Sequence, residues 1–147
     1  DLHSFPTRRS SDLTNALRLE AGMPLYGHEM TDETTPFEAG LAFAVKMDKE
    51  DFVGKSALES ATEPARKRIG LVVTGRGIAR GGEIVYVEDR AVGRTTSGTH
   101  CPYLGKPAAM ASMERSFSEP GRAVEVEVRG RRIAAEVVSL PFYKKTK

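Results

Sequence analysis

Two kinds of hydrophobic periodicity divide the chain. Residues 16–21, ALRLEA, are strong helix formers, and Gly22 stands where a left-handed helix stop belongs, with Pro24 just beyond it. The following LYGHEMTDETTP reads as an ordered loop, with Asp32, Thr34 and Thr35 available for caps and turns and Pro36 restarting the chain. Residues 37–47 are mostly apolar around Gly40, a pattern that predicts a short turn and then a buried strand at 41–46. DKEDF reads as a turn. Gly54-Lys55-Ser56 then leads into a short helix, SALESAT, with Ser56 as N-cap and Glu59 completing a capping box. Glu63-Pro64 closes it and marks the clearest boundary in the chain.

Beyond Pro64 the period changes from helical to two. Ile69, Leu71 and Val73 alternate, and Ile84–Val87 is β-branched and aromatic. AVGRTTSG predicts a polar strand or bulged edge, and residues 108–113 a strand of small side chains. Ala123–Val128 alternates strictly, with three valines on one face and two glutamates on the other. Arg129 to Arg132 reads as a turn, and IAAEVV as the returning partner. About six short strands with regular turn signals predict a closed or sandwiched β unit. Residues 1–13, DLHSFPTRRSSDL, show neither periodicity. They read as a non-native, adapter-derived tail joined to a truncated frame, or else as a disordered N-terminal tail.

The totals narrow the class. A chain of 147 residues holds one domain or two small ones. A net charge of +2 argues against a dedicated nucleic-acid binder. No apolar run is long enough for a membrane span or a signal peptide. The single cysteine, Cys101, leaves no internal disulfide framework and fits a reducing, cytoplasmic setting. The expected class is α+β: a partial central α/β region, then a C-terminal antiparallel β-barrel or sandwich.

Candidate chemistry is sparse. His100 and Cys101 could form a base and nucleophile, but adjacent strand residues point to opposite faces. His28-Glu29 either orients a ligand or caps a turn. With three histidines and no i, i+4 pair, no metal site is expected. The glycines of TGRGIARGG precede a strand rather than open a helix, so they predict a connecting turn, not a phosphate cradle. Arg66-Lys67-Arg68 and the tail lysines Lys144, Lys145 and Lys147 read as solvated ends, with contact to an acidic partner as the alternative. No complete active site emerges.

Four ordered blocks carry a resemblance. LRLEAGMPLYGHEM, TDETTPFEAGLAFAVKMDKEDFVGKSAL, TSGTHCPYLGKPAAMA and LPFYK together resemble the C-terminal half of the glycine cleavage T-protein family, the aminomethyltransferases. The likeness runs from about Asn15 to Lys144. It implies three domains around a folate pocket, of which residues 14–65 would be a partial central folate-binding region and 66–147 the C-terminal β domain. It also implies transfer of a one-carbon unit from the lipoyl arm of H-protein to tetrahydrofolate, with release of ammonia. The family's catalytic aspartate and a folate-binding glutamate belong to a preceding half, so no catalytic residue is assigned here. The family's arginine for the folate glutamate tail falls on Thr14. Arg18 and Glu20 are implied framework residues that pair locally. Tyr26, Glu29 and Tyr143 are the implied folate contacts. The implied partner is lipoylated H-protein, with neither nucleic acid nor membrane. Two other readings stay open: the folate-binding end of a dimethylglycine or sarcosine dehydrogenase, and a non-catalytic β module that binds a partner.

Overall fold

The computed structural model describes residues 7–143, with side chains from Leu13 onward. Helix α1 spans Thr7–Glu20. Residues 7–13 therefore continue the helix, where the sequence predicted no regular structure. Extending an existing helix costs far less than nucleating one, and the strong helix formers of 16–21 supply the nucleus. Residues 1–6 and the tail lysines lie outside the described residues. The helix stops as predicted. Gly22 adopts φ 65°, its N–H reaches Leu19 O at 2.8 Å, and Met23 N–H reaches Arg18 O at 2.8 Å. These two bonds satisfy carbonyls that would otherwise end the helix unpaired.

Six strands follow: β1 Arg66–Val73, β2 Ile84–Val87, β3 Arg90–Cys101, β4 Lys106–Glu114, β5 Ala123–Val128 and β6 Arg131–Val138. They close into a barrel in the order β1-β4-β3-β2-β5-β6, each neighbour pair antiparallel. Alternation fills the interior with Ile69, Leu71, Val73, Val85, Val92, Ala109, Ala111, Met113, Val124, Val126, Ala135 and Val137. The β5–β6 turn places Arg129 at φ 51° and Gly130 at φ 74°, the positive pair that suits the twist of a tight hairpin. β3 carries a bulge between Thr95 and Ser97. It is not an edge, because both of its sides are paired. The glycine-rich segment after β1 connects to β2, as predicted, and lies down on β3. A Cβ on Gly98 would stand 2.2 Å from Ala79 O, so only glycine admits this approach.

A second cluster sits on the barrel's outer wall. Leu19 of α1, Cys101, Ala108 and Met110 are buried together, with Leu104, Leu140 and Phe142 against them. This explains the small residues of β4: Ala109 and Ala111 face the interior while Ala108 lies under the helix. Gly70 serves the same packing, since a Cβ there would stand 2.9 Å from the Phe142 ring. Burying Leu19 completely contributes about 2 kcal/mol to holding the helix on the wall.

Two local expectations fail. Residues 41–46 form no strand. Ala42–Ala44 is one 3-10 turn with no buried residue, and Phe43 is 77% exposed. A strand needs a partner for its N–H and C=O groups, and a closed barrel has no edge to offer. Nor does Ser56 cap the short helix α2, Lys55–Glu59. Gly54, at φ 87°, is the N-cap and no side chain caps it. Instead Lys55 Nζ donates to Lys49 O at 2.7 Å and Glu50 O at 3.3 Å, tying the helix to the preceding turn. In hydrogen exchange, amides of 15–63 are expected to exchange faster than those of 66–143, because the former hold few buried apolar contacts. Equal protection across the two segments would contradict this division.

Candidate functional site

The residues that join the N-terminal segment to the barrel form one buried polar junction. Its centre is Glu29, whose side chain has 0% exposure. Oε2 accepts from Arg18 Nη1 at 2.8 Å and from the Leu25 N–H at 2.9 Å. Oε1 accepts from Thr96 Oγ1 at 2.8 Å and from Ser97 Oγ. One carboxylate thus links helix, loop and β3. Burial pushes its pKa up, but the bonds from Ser97, Leu25 and Thr96 and the Arg18 charge outweigh this, and the pKa lies below its ordinary 4.5. Arg18 is held in turn by Asn15 Oδ1 at 2.8 Å and Met23 O at 3.2 Å, while its Nη2 is buried without a hydrogen-bond partner.

Arg68 makes a second tie, so within the basic cluster only Lys67 is the exposed, solvated position expected of all three. Its Nε donates to Ala39 O at 2.6 Å and its Nη1 to Gly22 O at 2.7 Å. Burial lowers its pKa while the Glu29 charge acts against the shift. Glu20 makes a third. Its Oε1 accepts from the N–H groups of Tyr103 at 2.8 Å and Leu104 at 3.3 Å, and its backbone oxygen accepts from Tyr143 N–H at 3.1 Å. Its partners are therefore distant in sequence rather than local. Beside it, Tyr103 and Tyr143 meet edge to face, ring centroids 4.6 Å apart at 75°, both partly open to solvent.

The residues implied as folate contacts fall in different settings. Tyr143 lies at the Glu20 end of the junction. Tyr26 is exposed on the loop, its hydroxyl donating to Asp32 Oδ1, a bond that raises its pKa. Glu29 is closed off, both oxygens already taken by the protein. His28, its neighbour, is exposed. His100 is likewise exposed while Cys101 is buried, its thiol pushed up to about 11 by burial and by the Glu20 charge. That thiol is no nucleophile near neutral pH. Among the described residues no group of three His, Cys, Asp or Glu side chains could hold a metal. No helix there is long and apolar enough to cross a membrane. Sequence reasoning missed Arg68, Thr96 and Ser97. The polar run in the middle of β3 was no distinguishing signal, because outward-facing positions of a barrel strand are ordinarily polar.

Fold and junction define a class: a closed six-stranded barrel with a helix-and-loop segment clamped to its outer wall. Residues 66–144 match the glycine cleavage T-protein C-terminal barrel domain, and residues 11–49 match the GCVT N-terminal domain. The chain belongs to the glycine cleavage T-protein family. It is 47% identical to the aminomethyltransferase of Streptomyces avermitilis over 140 residues, covering 90% of this chain and 38% of that protein. It is 46% identical to the one from Halalkalibacterium halodurans over 133 residues, covering 89% of this chain and 36% of that protein. The crystal structure of glycine cleavage system aminomethyltransferase T from Bartonella henselae superposes with a TM-score of 0.82 at 36% identity, covering 88% of this chain and 37% of that one. The chain thus spans well under half the length of these relatives.

Replacing Glu29 by Gln removes the charge that neutralises Arg18 and leaves a buried cation uncompensated. The expected loss is on the order of 3 kcal/mol from docking of the N-terminal segment, seen as faster amide exchange across 15–40 with β1–β6 little changed. The pH dependence has a definite sign. The folded pKa is depressed, so this stabilisation is fully present above the ordinary value of 4.5 and is lost as pH falls through the lower folded value. A urea titration repeated at descending pH should show wild type losing stability in that window more steeply than Glu29→Gln.

Proposed function

We propose that the chain is the C-terminal portion of an aminomethyltransferase. In that protein the one-carbon unit of an aminomethyl group on the lipoyl arm of H-protein passes to tetrahydrofolate, and ammonia leaves. The observation that carries this reading is the joint match of barrel and N-terminal segment, in order, to proteins named aminomethyltransferase. Such a transfer depends mainly on placing two bound groups against each other, so rigid walls matter more than a nucleophile. In this reading 14–65 is a partial folate-binding region, and 66–147 is the barrel against which it is fixed. Tetrahydrofolate is a substrate, and Tyr143, stacked edge-on with Tyr103, offers it an aromatic surface. Tyr26 offers a second contact from the loop. Glu29 serves the same pocket at one remove: it sets the loop that carries Tyr26, since its own oxygens are occupied. The setting in this reading is the cytoplasm.

The test is a transfer assay with lipoylated H-protein and tetrahydrofolate. The chain alone is expected to be inactive, whereas the chain fused behind the preceding portion of the Bacillus subtilis aminomethyltransferase is expected to catalyse transfer. Activity of the chain alone, or a folded but inactive fusion, would overturn the reading. In the active fusion, Tyr143→Ala should raise KM for tetrahydrofolate by about five- to tenfold, and Tyr143→Phe should restore most of it.

A further inference from the structure

Strand register places an unusual row of cations on the barrel's outer face. Ser112 of β4 pairs with Arg68 of β1 on one side and Arg94 of β3 on the other. Arg66 lies on the same face as Arg68, two residues earlier on β1. Neighbouring strands are only about 4.8 Å apart, so like charges in such a row oppose one another unless something negative joins them. Arg68 leaves the row by turning to Gly22 O and Ala39 O. Arg66 and Arg94 remain. Arg66 is braced by Ser112, its Nε 3.2 Å from Oγ and its Nη2 2.9 Å from the backbone oxygen. Arg94 is braced by Gly82 O, 2.7 Å from its Nη1. Neither forms an ion pair among the described residues, whereas Arg18, Arg90 and Arg132 all do.

The two guanidinium groups share a cleft of about 560 Å³ whose wall includes His28, Gly82, Thr96 and Ser112 and, among the described residues, no aspartate or glutamate. Opposite Arg66 in the register stands Glu114, which is held by Arg90 at 2.8 Å. Three more carboxylates, Glu29, Glu33 and Glu38, line a smaller adjoining cavity of about 240 Å³ that shares His28, Arg66, Thr96 and Ser112 with the cleft. Two of these are engaged: Glu29 as described, and Glu38 Oε2 by Thr35 N at 3.0 Å and Thr35 Oγ1 at 3.2 Å. Ser112 Oγ accepts from Arg66, which leaves its own proton free to donate.

We propose that this cleft is a binding subsite for the phosphate group of a small molecule, with Arg66, Arg94 and Ser112 as its donors. Three donor groups on three adjacent strands match an anion with three terminal oxygens better than a carboxylate with two. Guanidinium groups suit phosphate oxygens through paired N–H donors. The charge of a phosphate near neutral pH offsets the two cations that the protein itself leaves unpaired. The cleft shares Thr96 with the Glu29 junction, but its proposed donors are none of the Glu29 and Glu20 contacts described above, and the proposal does not rest on the aminomethyltransferase reading.

The experiment titrates the 147-residue chain with inorganic phosphate and with pyrophosphate at constant ionic strength, followed by amide chemical shifts and calorimetry. Saturable binding is expected, with shifts centred on 27–28, 82, 94–96 and 112. Arg94→Gln, an exposed position whose loss should leave the fold intact, is expected to weaken it by about tenfold or more. Arg132→Gln, whose partners are Asp89 and Glu125, should bind as wild type. Malonate serves as the carboxylate comparison. Absence of saturable binding overturns the proposal, as does unchanged affinity in Arg94→Gln or tighter binding of malonate than of phosphate.

Discussion

A carboxylate sealed from water must be given donors or be expelled, and the placing of Glu29 imposes that condition on everything around it. Its two oxygens draw one partner from the helix, one from its own loop and two from β3. Only Leu25 is near Glu29 in sequence; Arg18 is 11 positions away, and the adjacent pair Thr96 and Ser97 are 67 and 68. The bonds can all exist only when helix, loop and barrel are in their final relative positions. A buried charge whose partners come from three elements therefore acts as a register device: misdocking leaves the charge unpaired, a penalty of several kcal/mol. Hydrophobic contact alone, through Leu19, Leu140 and Phe142, would tolerate small slides. The polar ties of Glu29, Arg68 and Glu20 do not.

Barrel closure is the complementary constraint. With every strand paired on both sides, further chain can only lie on the outer wall. That wall must then supply close-packing surface and hydrogen-bond donors where a barrel would ordinarily show solvent-facing polar residues. Gly70, Ala108 and Met110 supply the first, and Thr96 and Ser97 the second. The C-terminal residues complete it. Phe142 lies over Gly70, and Pro141 comes so near Gly22 that a Cβ there would stand 3.0 Å from its Cα. Helix stop and residues 140–141 are thus packed against each other as well as, through Leu140 and Phe142, against the barrel.

The barrel strands were legible because each buries one face, and burial of one face writes a period of two into the sequence. AVEVEV and the Ile69, Leu71, Val73 series show it plainly, and Gly22 announced the helix stop through its φ preference. Closure itself was not legible: alternation says which face is inside, not whether the last strand meets the first. The apolar run at 37–47 misled because composition reports a demand for burial without reporting whether an edge exists to satisfy it. Residues 7–13 misled in the other direction, since a helix can propagate through residues that would never start one. The candidate site was least visible. Arg68 sits in a run of basic residues that normally means solvent, and the Glu29 partners lie 67 and 68 positions away. The residues alone left Glu29 as a ligand-orienting or turn-capping group and gave no reason to choose Tyr143; resemblance pointed at both, and could not tell that one is sealed and the other open.

The filled interior decides where any chemistry can take place. Twelve strand residues occupy the barrel lumen at close to zero exposure, among them the bulky Leu71 and Met113. A small barrel packed in this way has no cavity for a ligand. Binding must use the outer wall, its rims, or the segment clamped to it. The polar and aromatic groups follow that rule. Tyr103 and Tyr143 stand at one end of the junction, Tyr26 on its loop, and Arg66 and Arg94 beside Ser112 on the same outer face. The junction that costs the fold a buried charge also fixes the loop that carries Tyr26 against the barrel. For the transfer proposed above, rigidity there would be a requirement of positioning: a loop free to slide by one ångström would forfeit much of the advantage that bound, oriented reactants have over free ones.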